Sequence, residues 1–477
     1  MENELKKKYG LITAICMVVG IVVGSGVFFK AQTILDKTDG DMPLGILAWI
    51  IGGAIMIFCI LAFSVMAQKY EKVNGIIDYA EVTVGGKYAY FIGWFMSTIY
   101  YPTLTSVLAW LSARYTLTFI ASVNPEFCDD PVTGAECFAL AGAFLIISFA
   151  LNSLSPKLAG KFQVSATVIK FIPLVVMAVG GMIYGLTHNI AGETTKILAA
   201  NFATSKGNMS VLFGAVVATA FAYEGWIVAT SINAELKDAK RNLPIALIVG
   251  GIIIVTIYVV YYIGVAGAVP VKTLIDDGAT VAYTTIFGNV FGNILNLFVA
   301  VSCMGTLNGL MLGCTRGLYS VAVRGYGPAP DTFSVVDKKT NMPASSSIFG
   351  LLLCALWLIY FYGANLAPFK WFGIFSFDSS ELPIVTTYAL YIPIFIMFIV
   401  KGKGENPIKR FVLPILAIIG SSFMVIAAIY AHGISFYQAG KANGEFSCPI
   451  LFYLIVFAAI MVIGLLLMNS KKKGKKA

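Results

Sequence analysis

The chain has 477 residues, of which 58% are hydrophobic and 12% are charged, and its mean hydropathy is +0.84. Soluble domains carry charge on about a quarter of their residues, so this composition excludes a soluble globular protein and indicates a chain covered by lipid. The net charge of +9 does not indicate nucleic-acid binding, because the basic tail follows an apolar run and suits an anionic membrane surface.

Apolar runs of the length that crosses the hydrocarbon layer recur along the whole chain. They predict twelve transmembrane helices, at residues 10–36, 43–68, 86–120, 137–154, 162–187, 209–234, 243–269, 287–323, 344–363, 370–400, 410–432 and 448–469. No small-residue cleavage site follows the first run, so we expect it to remain in the protein as a membrane span.

The basic residues predict the orientation of these spans. Lysine and arginine are concentrated in one set of loops and span ends, from Lys6–Lys8 to Lys471–Lys476. The opposite loops hold few of them and include Asp129–Asp130, while Lys30 and Arg114 lie inside spans nearer that opposite end. The positive-inside rule then places both termini in the cytoplasm of a multi-pass protein of the cell membrane.

Two spans contain features that weaken a helix. The first has Gly20, Gly24 and Gly26 within seven residues, and free backbone groups at a break there could bind a ligand. The alternative is a close helix–helix contact, because Gly20 and Gly24 form a small-xxx-small pair. The sixth span carries Glu224 and Gly225 in an apolar, aromatic run. In an arrangement of five plus five plus two spans, spans one and six are equivalent, which points to one binding site.

These stretches resemble a known family. The string from Val22 to Phe28, VVGSGVF, resembles the glycine-rich first helix of the amino acid–polyamine–organocation (APC) transporters. The L-type amino acid transporter branch has similar strings in its sixth helix, the following loop and its eighth helix. The matching strings here are 221–226, 235–244, 307–309, 315–318 and 324–328.

The resemblance implies an all-α membrane protein with a LeuT-type inverted repeat of five plus five helices and two C-terminal helices, with helices 1 and 6 unwound in mid-membrane. Residues 1–9 then form a cytoplasmic N-terminus, 10–187 the first repeat, 209–400 the second repeat, 410–469 the last two helices and 470–477 a basic cytoplasmic tail.

The resemblance also implies a substrate site. In the family, the unwound first helix binds the substrate carboxylate through backbone amides, which here belong to Ser25 and Gly26, close to Val22 and Gly24. No metal ion or other cofactor is expected, because the sequence has no metal-ligand spacing.

The unwound sixth helix of the family receives the amino group through carbonyls, here near Phe221 and Ala222, and Phe221 matches its gating aromatic. Lys170 matches a lysine that fills the space of a sodium ion in sodium-coupled relatives. Glu224 is a departure, because many L-type members have glycine there, and this leaves the substrate class open.

Charged residues inside spans are costly and need a partner or a function. Lys170 lies about 13 Å deeper than Lys161, and snorkelling covers only part of that depth, so we expect its ammonium to hold the first helix near Gly20 and to act in coupling. Glu224 is either a protonated carboxyl bonded within the bundle or a contact to substrate or proton.

Asp378 and Glu381 lie in the outer part of span ten, and their i, i+3 spacing predicts a shared helix face. Their alternative environment is a solvated extracellular mouth. Together with Glu224 they place three acids against Lys170, which suggests a cationic substrate such as lysine, ornithine, arginine or a diamine.

Four other polar residues in or near the spans are also candidates for a role. Tyr100 either lines the pathway or packs in the bundle, and Asn308 either contacts substrate or bonds two helices. Arg316 is a candidate for a cytoplasmic gate, whereas Arg324 is expected to reach the headgroups.

The leading hypothesis is a sodium-independent secondary amino acid transporter, an exchanger or proton symporter that works by alternating access and favours cationic amino acids. Alternatives are a polyamine or amine transporter, a precursor/product antiporter, and a non-transporting amino acid sensor. An enzyme or a channel is not expected, since the spans show no nucleophile–base constellation or repeated pore loop. We expect a monomer, although Cys128 and Cys137 allow either an internal bridge or a disulfide to an accessory subunit.

Overall fold

The computed structural model describes residues 10–69, 75–203, 207–229 and 236–468. The predicted cytoplasmic segments 1–9 and 470–477 lie outside these residues. The described part is built from α-helices, with one isolated antiparallel bridge between Asn189 and Lys196.

The helices of the described part are numbered in chain order. They are α1 Leu11–Val22, α2 Gly26–Lys37, α3 Met42–Lys69, α4 Ile76–Thr83, α5 Gly86–Phe95, α6 Tyr101–Val123, α7 Ala135–Leu154, α8 Pro156–Thr187, α9 Ile197–Phe202, α10 Leu212–Ala222, α11 Trp226–Ala229, α12 Ala239–Ala266, α13 Val271–Asp277, α14 Ala279–Ala322, α15 Pro330–Phe333, α16 Ala344–Phe361, α17 Leu382–Lys401, α18 Leu413–Ile429, α19 Ser435–Ala442 and α20 Pro449–Leu467. Short π-helical turns occupy Met96–Tyr100, Tyr362–Leu366, Ile408–Val412 and Tyr430–Ile434.

Ten helical stretches of the described part are long and apolar enough to cross a membrane, which makes this a multi-pass membrane protein. Two shorter apolar helices, Leu11–Gly20 and Met209–Ala222, fall in predicted spans one and six. The count of twelve crossings and the inverted repeat stay predictions.

Span ten begins later than the sequence predicts. Helix α17 starts at Leu382, and residues 371–381 form turns and a short 3₁₀ helix instead. This segment folds back on α16, where the N–H of Phe377 donates to the Tyr360 hydroxyl at 2.9 Å. The apolar composition of the segment therefore reflects aromatic packing in a non-helical region.

Asp378 and Glu381 consequently precede α17, and the prediction that they share a helix face is wrong. The carboxylate of Asp378 accepts the N–H of Ser380 at 2.7 Å, a local bond that competes with helix formation. Pro383 then falls in the first turn of α17, where its missing N–H does no harm.

A proline also explains the π-helical turn at Met96–Tyr100. Pro102 has no N–H to donate to the carbonyl four residues earlier, which belongs to Thr98. The indole Nε1–H of Trp357, in α16, donates to that Thr98 oxygen at 2.9 Å and satisfies it. The distortion is therefore stabilised by a neighbouring helix.

The contacts divide the chain into two compact units. The first comprises the described residues of Met1–Gly75, Thr167–Val299 and Thr387–Ala431, and the second those of Ile76–Ala166, Ala300–Thr386 and His432–Ala477. In the first unit α3 packs on α10, α12 and α18, and α2 packs on α10. In the second unit α6 packs on α7 and α16. This division differs from the predicted repeats, which remain a prediction.

Candidate functional site

The first helix break lies in the first unit, at the place where the sequence has its glycines. Helix α1 ends at Val22, and Val23 has an extended backbone with φ −66° and ψ 105°. Helix α2 starts at Gly26, and its first-turn N–H groups have no acceptors inside the helix. The Ser25 hydroxyl beside them is buried and has no hydrogen-bond partner in the described part of the chain.

The second break separates α10 from α11. The N–H of Tyr223 closes α10 by donating to Thr219 O at 3.0 Å, and the chain then turns through Glu224 and Gly225. Gly225 has φ +104°, a backbone conformation that residues with a Cβ rarely adopt. The glycine therefore permits the turn that follows the end of α10.

The two breaks are adjacent within the first unit. A Cβ atom on Gly26 would lie 2.5 Å from the Cα atom of Ala222, so α2 and α10 approach with their backbones almost touching. The Tyr258 hydroxyl, on α12, lies 3.1 Å from Val22 O and 3.0 Å from Ala222 O. One side chain thus contacts the last carbonyls of both α1 and α10.

Tyr258 was not identified from the sequence, because it lies among apolar and aromatic residues with no local signal of its role. An aromatic cluster holds it in place. The ring centroid of Trp49 lies 5.5 Å from that of Tyr258 and 5.6 Å from that of Tyr223. The Tyr223 hydroxyl donates to Trp49 O at 2.8 Å, and all three side chains are fully buried.

Lys170 contacts the first helix as the sequence predicts. Its Nζ donates a hydrogen bond to the carbonyl oxygen of Gly20, two residues before α1 ends. Only 1% of Lys170 is exposed, so its side chain does not snorkel out to the surface of the helix bundle. The contact with Gly20 is confirmed, whereas a role in coupling remains a prediction.

Phe221 and Glu224 lie on the two sides of the end of α10. Phe221 is largely buried, and its ring centroid is 6.1 Å from that of Phe29 and 5.3 Å from the Nζ of Lys30. Glu224 is in the break itself and is 9% exposed. A carboxyl at this position suits either of the roles that the sequence left open.

The second unit contains Asp378 and Glu381, and both acids have partners there. The Asp378 carboxylate accepts from the N–H and the hydroxyl of Ser380. Glu381 is fully buried, and its Oε2 lies 3.0 Å from Nε2 of His432. The sequence placed His432 at the end of an apolar run, but the helical stretch continues from Ile408 to Ala442 and buries the imidazole.

Asn308 and Tyr100 also belong to the second unit. The Asn308 amide joins three helices, because it accepts from Asn152 Nδ2 at 2.9 Å and donates to Gln163 Oε1 at 3.2 Å. This bonding favours the interpretation of Asn308 as a link between helices. Tyr100 is fully buried in the π-helical turn, with its ring 5.3 Å from that of Tyr101, as expected of a packing residue.

Arg316 and Arg324 differ in environment. Arg316 is exposed on α14, and its role in a gate stays a prediction. Arg324 was expected to reach the headgroups, but its guanidinium lies 2.6 Å from Asp78 Oδ1 and 3.7 Å from Glu81 Oε2. The sequence did not pair these acids on α4 with Arg324, and its reach to the headgroups stays a prediction.

Cys128 and Cys137 are free thiols in the structure. Among the residues that the structure describes, no group of three or more His, Cys, Asp or Glu side chains could hold a metal ion.

A family model described as "Amino acid permease" matches residues 9–469. The serine/threonine exchanger SteT of Bacillus subtilis is 28% identical, over 89% of this chain and 91% of that protein. The human b(0,+)-type amino acid transporter 1 is 26% identical, over 90% of this chain and 83% of that protein. The mouse Asc-type amino acid transporter 1 is also 26% identical, over 73% of this chain and 63% of that protein.

Proposed function

Because the chain belongs to the amino acid permease family of the APC superfamily, we propose that it is a secondary transporter that carries amino acids by alternating access. The observation that carries the proposal is the adjacency of the two helix breaks, with Tyr258 against the last carbonyl of each. The start of α2 carries a partial positive charge and the end of α10 a partial negative one. An amino acid zwitterion has the complementary pair of charges.

The substrate would bind across the two breaks. Its carboxylate would accept hydrogen bonds from the amides of Ser25 and Gly26, close to Val22 and Gly24, and the partnerless Ser25 hydroxyl supports a polar ligand there. Its amino group would donate to carbonyls near Phe221 and Ala222, with Phe221 closing over it. Tyr100, Asn308, Asp378 and Glu381 have partners or packing of their own in the second unit, so we give them no direct contact with substrate.

The position of Lys170 supports transport that does not depend on sodium. Its ammonium contacts the Gly20 carbonyl, an oxygen of the kind that a sodium ion would need. A second cation beside a buried ammonium would be repelled strongly, since like charges a few ångströms apart cost several kcal/mol in a protein interior.

Exchange is the form of transport that we favour, because the relative with the highest identity of the three above, at 28%, is named an exchanger. Proton symport is the second candidate, and the buried Glu224 carboxyl in the break supports it. Counterflow with and without a pH gradient separates the two. When the amino acid concentration is equal on both sides of the membrane, only symport should respond to the gradient.

We propose a small neutral amino acid as the substrate, as the name of the serine/threonine exchanger suggests. Three acids favoured a cationic substrate in the sequence, but Asp378 and Glu381 have partners in their own unit. Only Glu224 still favours lysine, ornithine or arginine, which makes these the second candidate. A diamine lacks the carboxylate that the start of α2 would bind, so we rank polyamines last.

We also propose that the protein is a monomer of the cell membrane with both termini in the cytoplasm, as the asymmetry of lysine and arginine predicts. Within it, twelve spans would form the five plus five inverted repeat, with Lys170 and Phe221 as coupling and gating residues and Arg316 at the cytoplasmic gate.

The test is exchange in proteoliposomes. Vesicles that contain the purified protein and unlabelled serine should take up labelled serine, and replacement of sodium by choline should leave the rate unchanged. Binding in a thermal-shift assay without flux would indicate a sensor instead. Loss of uptake in choline would contradict the assignment of Lys170.

A further inference from the structure

Lys30 is a charged residue that neither the family resemblance nor the proposed function uses. It lies in α2 and is 1% exposed. Its Nζ is 5.0 Å from the ring centroid of Phe29 and 5.3 Å from that of Phe221. An ammonium within about 6 Å of an aromatic ring face is attracted to it. The lysine is therefore held inside the protein, against the proposed gate, rather than extended toward lipid headgroups.

The helix geometry places this ammonium close to the break. Lys30 follows Gly26 by four residues, and residues four apart lie on one face of a helix. Gly26 is where α2 meets Ala222, so Lys30 stands one turn further along the same face, about 6 Å away. The amide that we propose for the carboxylate and the ring that we propose for the gate therefore both lie near Lys30.

We propose that Lys30 is a specificity-determining residue that selects against amino acids with cationic side chains. The inference rests on the proposed function and adds the class of amino acids that the site excludes. A substrate ammonium about 8 Å from the Lys30 charge, at an effective dielectric constant of about 20, would bind roughly 30-fold more weakly. A neutral side chain would not experience this penalty.

Lys30 would also act against the effect of the acid in the second break. Glu224 alone would attract a cationic substrate, but a fixed positive charge beside Phe221 offsets that attraction. Lys30 lies one turn after the first break, and Glu224 lies in the second. Their balance, rather than Glu224 by itself, would decide whether the site accepts a cation.

The test compares two Lys30 variants with one control. Lys30→Met removes the charge and keeps an unbranched apolar side chain, whereas Lys30→Arg keeps the charge and the contact with both rings. Lys37→Met is the matched control, because it removes a lysine from the last turn of the same helix, two turns away. The measurement is the ratio of inhibition constants of lysine and threonine against labelled serine exchange in proteoliposomes.

We expect Lys30→Met to shift this ratio about 10- to 100-fold in favour of lysine, with Lys30→Arg and Lys37→Met close to the wild type. An unchanged ratio in Lys30→Met would overturn the inference, as would the same shift in Lys30→Arg. If Lys30→Met is unstable, Lys30→Gln decides by the same ratio. Absence of any amino acid exchange by the wild type would instead refute the proposed function, so the two failures are distinguishable.

Discussion

Lys170, on α8, places its ammonium against the Gly20 carbonyl of α1. Removing it would leave that carbonyl without its charged donor, and hydrogen bonds to charged groups are worth about 1.5–3 kcal/mol. We therefore expect Lys170→Ala to slow serine exchange by about 10- to 100-fold while the protein still inserts in the membrane.

Lys161→Ala is the control for this prediction, because Lys161 is exposed on the same helix, nine residues earlier. Initial rates should be compared at equal amounts of reconstituted protein. A Lys170→Ala variant with the rate of the wild type would remove the residue from the transport mechanism.

Tyr258 connects the two breaks through a single oxygen atom. In Tyr258→Phe the carbonyls of Val22 and Ala222 lose this donor, and a buried polar group without a partner costs about 1–3 kcal/mol. We expect serine exchange to slow about 10-fold and the melting temperature in detergent to fall by a few degrees. Tyr437→Phe, at an exposed position, should change neither measurement.

Sequence reasoning succeeded at the residue scale where a local rule applied. Lys170 was found because a charge deep in a span needs an explanation. Tyr258, Lys30 and His432 were not assigned these contacts, because each depends on a partner far away in the chain, on α10 or before α17. A tyrosine in an apolar run gives no sign of which carbonyl it will meet.

At the scale of elements, the approach of α2 to α10 depends on Gly26. An added Cβ would lie 2.5 Å from the backbone of Ala222, where no rotamer change can relieve the clash. Overpacking of this kind costs about 1–3 kcal/mol. We expect Gly26→Ala to abolish most exchange and lower the melting temperature. Gly142→Ala, in α7, should be harmless, because nothing lies within 4 Å of its added Cβ.

The contact of Glu381 with His432 joins the start of α17 to the π-helical turn before α19. His432→Ala removes a hydrogen bond from a fully buried carboxyl, so we expect a loss of about 1–3 kcal/mol in the free energy of unfolding. Thermal denaturation in detergent would show it as a clearly lower midpoint. His188→Ala, at an exposed position, serves as the control. Equal midpoints for both variants would contradict a structural role for the contact.

Helix breaks and helix ends differ in how well they can be predicted. Both helix breaks lie near the glycines from which the sequence predicted them, because Gly24, Gly26 and Gly225 weaken a helix in any context. The start of α17 was misplaced by twelve residues, from 370 to Leu382, since aromatic residues packed in a turn have the hydropathy of a span. Hydropathy alone does not distinguish these two situations.

For the whole molecule, the distribution of charge predicts that both termini face the cytoplasm. A fluorescent protein fused after residue 477 should therefore fold and fluoresce, and an alkaline phosphatase fused there should be inactive in a bacterial host. The reverse pair of results would invert every loop assignment. A fusion to the loop at Asp129–Asp130 should give the opposite pattern and is the internal control.

A tyrosine hydroxyl has only one hydrogen to donate, yet the Tyr258 oxygen is within hydrogen-bond distance of two carbonyl oxygens. At any instant one of the two carbonyl oxygens accepts that hydrogen, and the other can accept a hydrogen bond from a different donor. An arriving ammonium could occupy the spare acceptor and fix the hydroxyl on its neighbour. Binding of the ligand would then fix the orientation of the Tyr258 O–H bond. A tyrosine band in the infrared difference spectrum with serine, absent in Tyr258→Phe, would detect it, and identical spectra would rule it out.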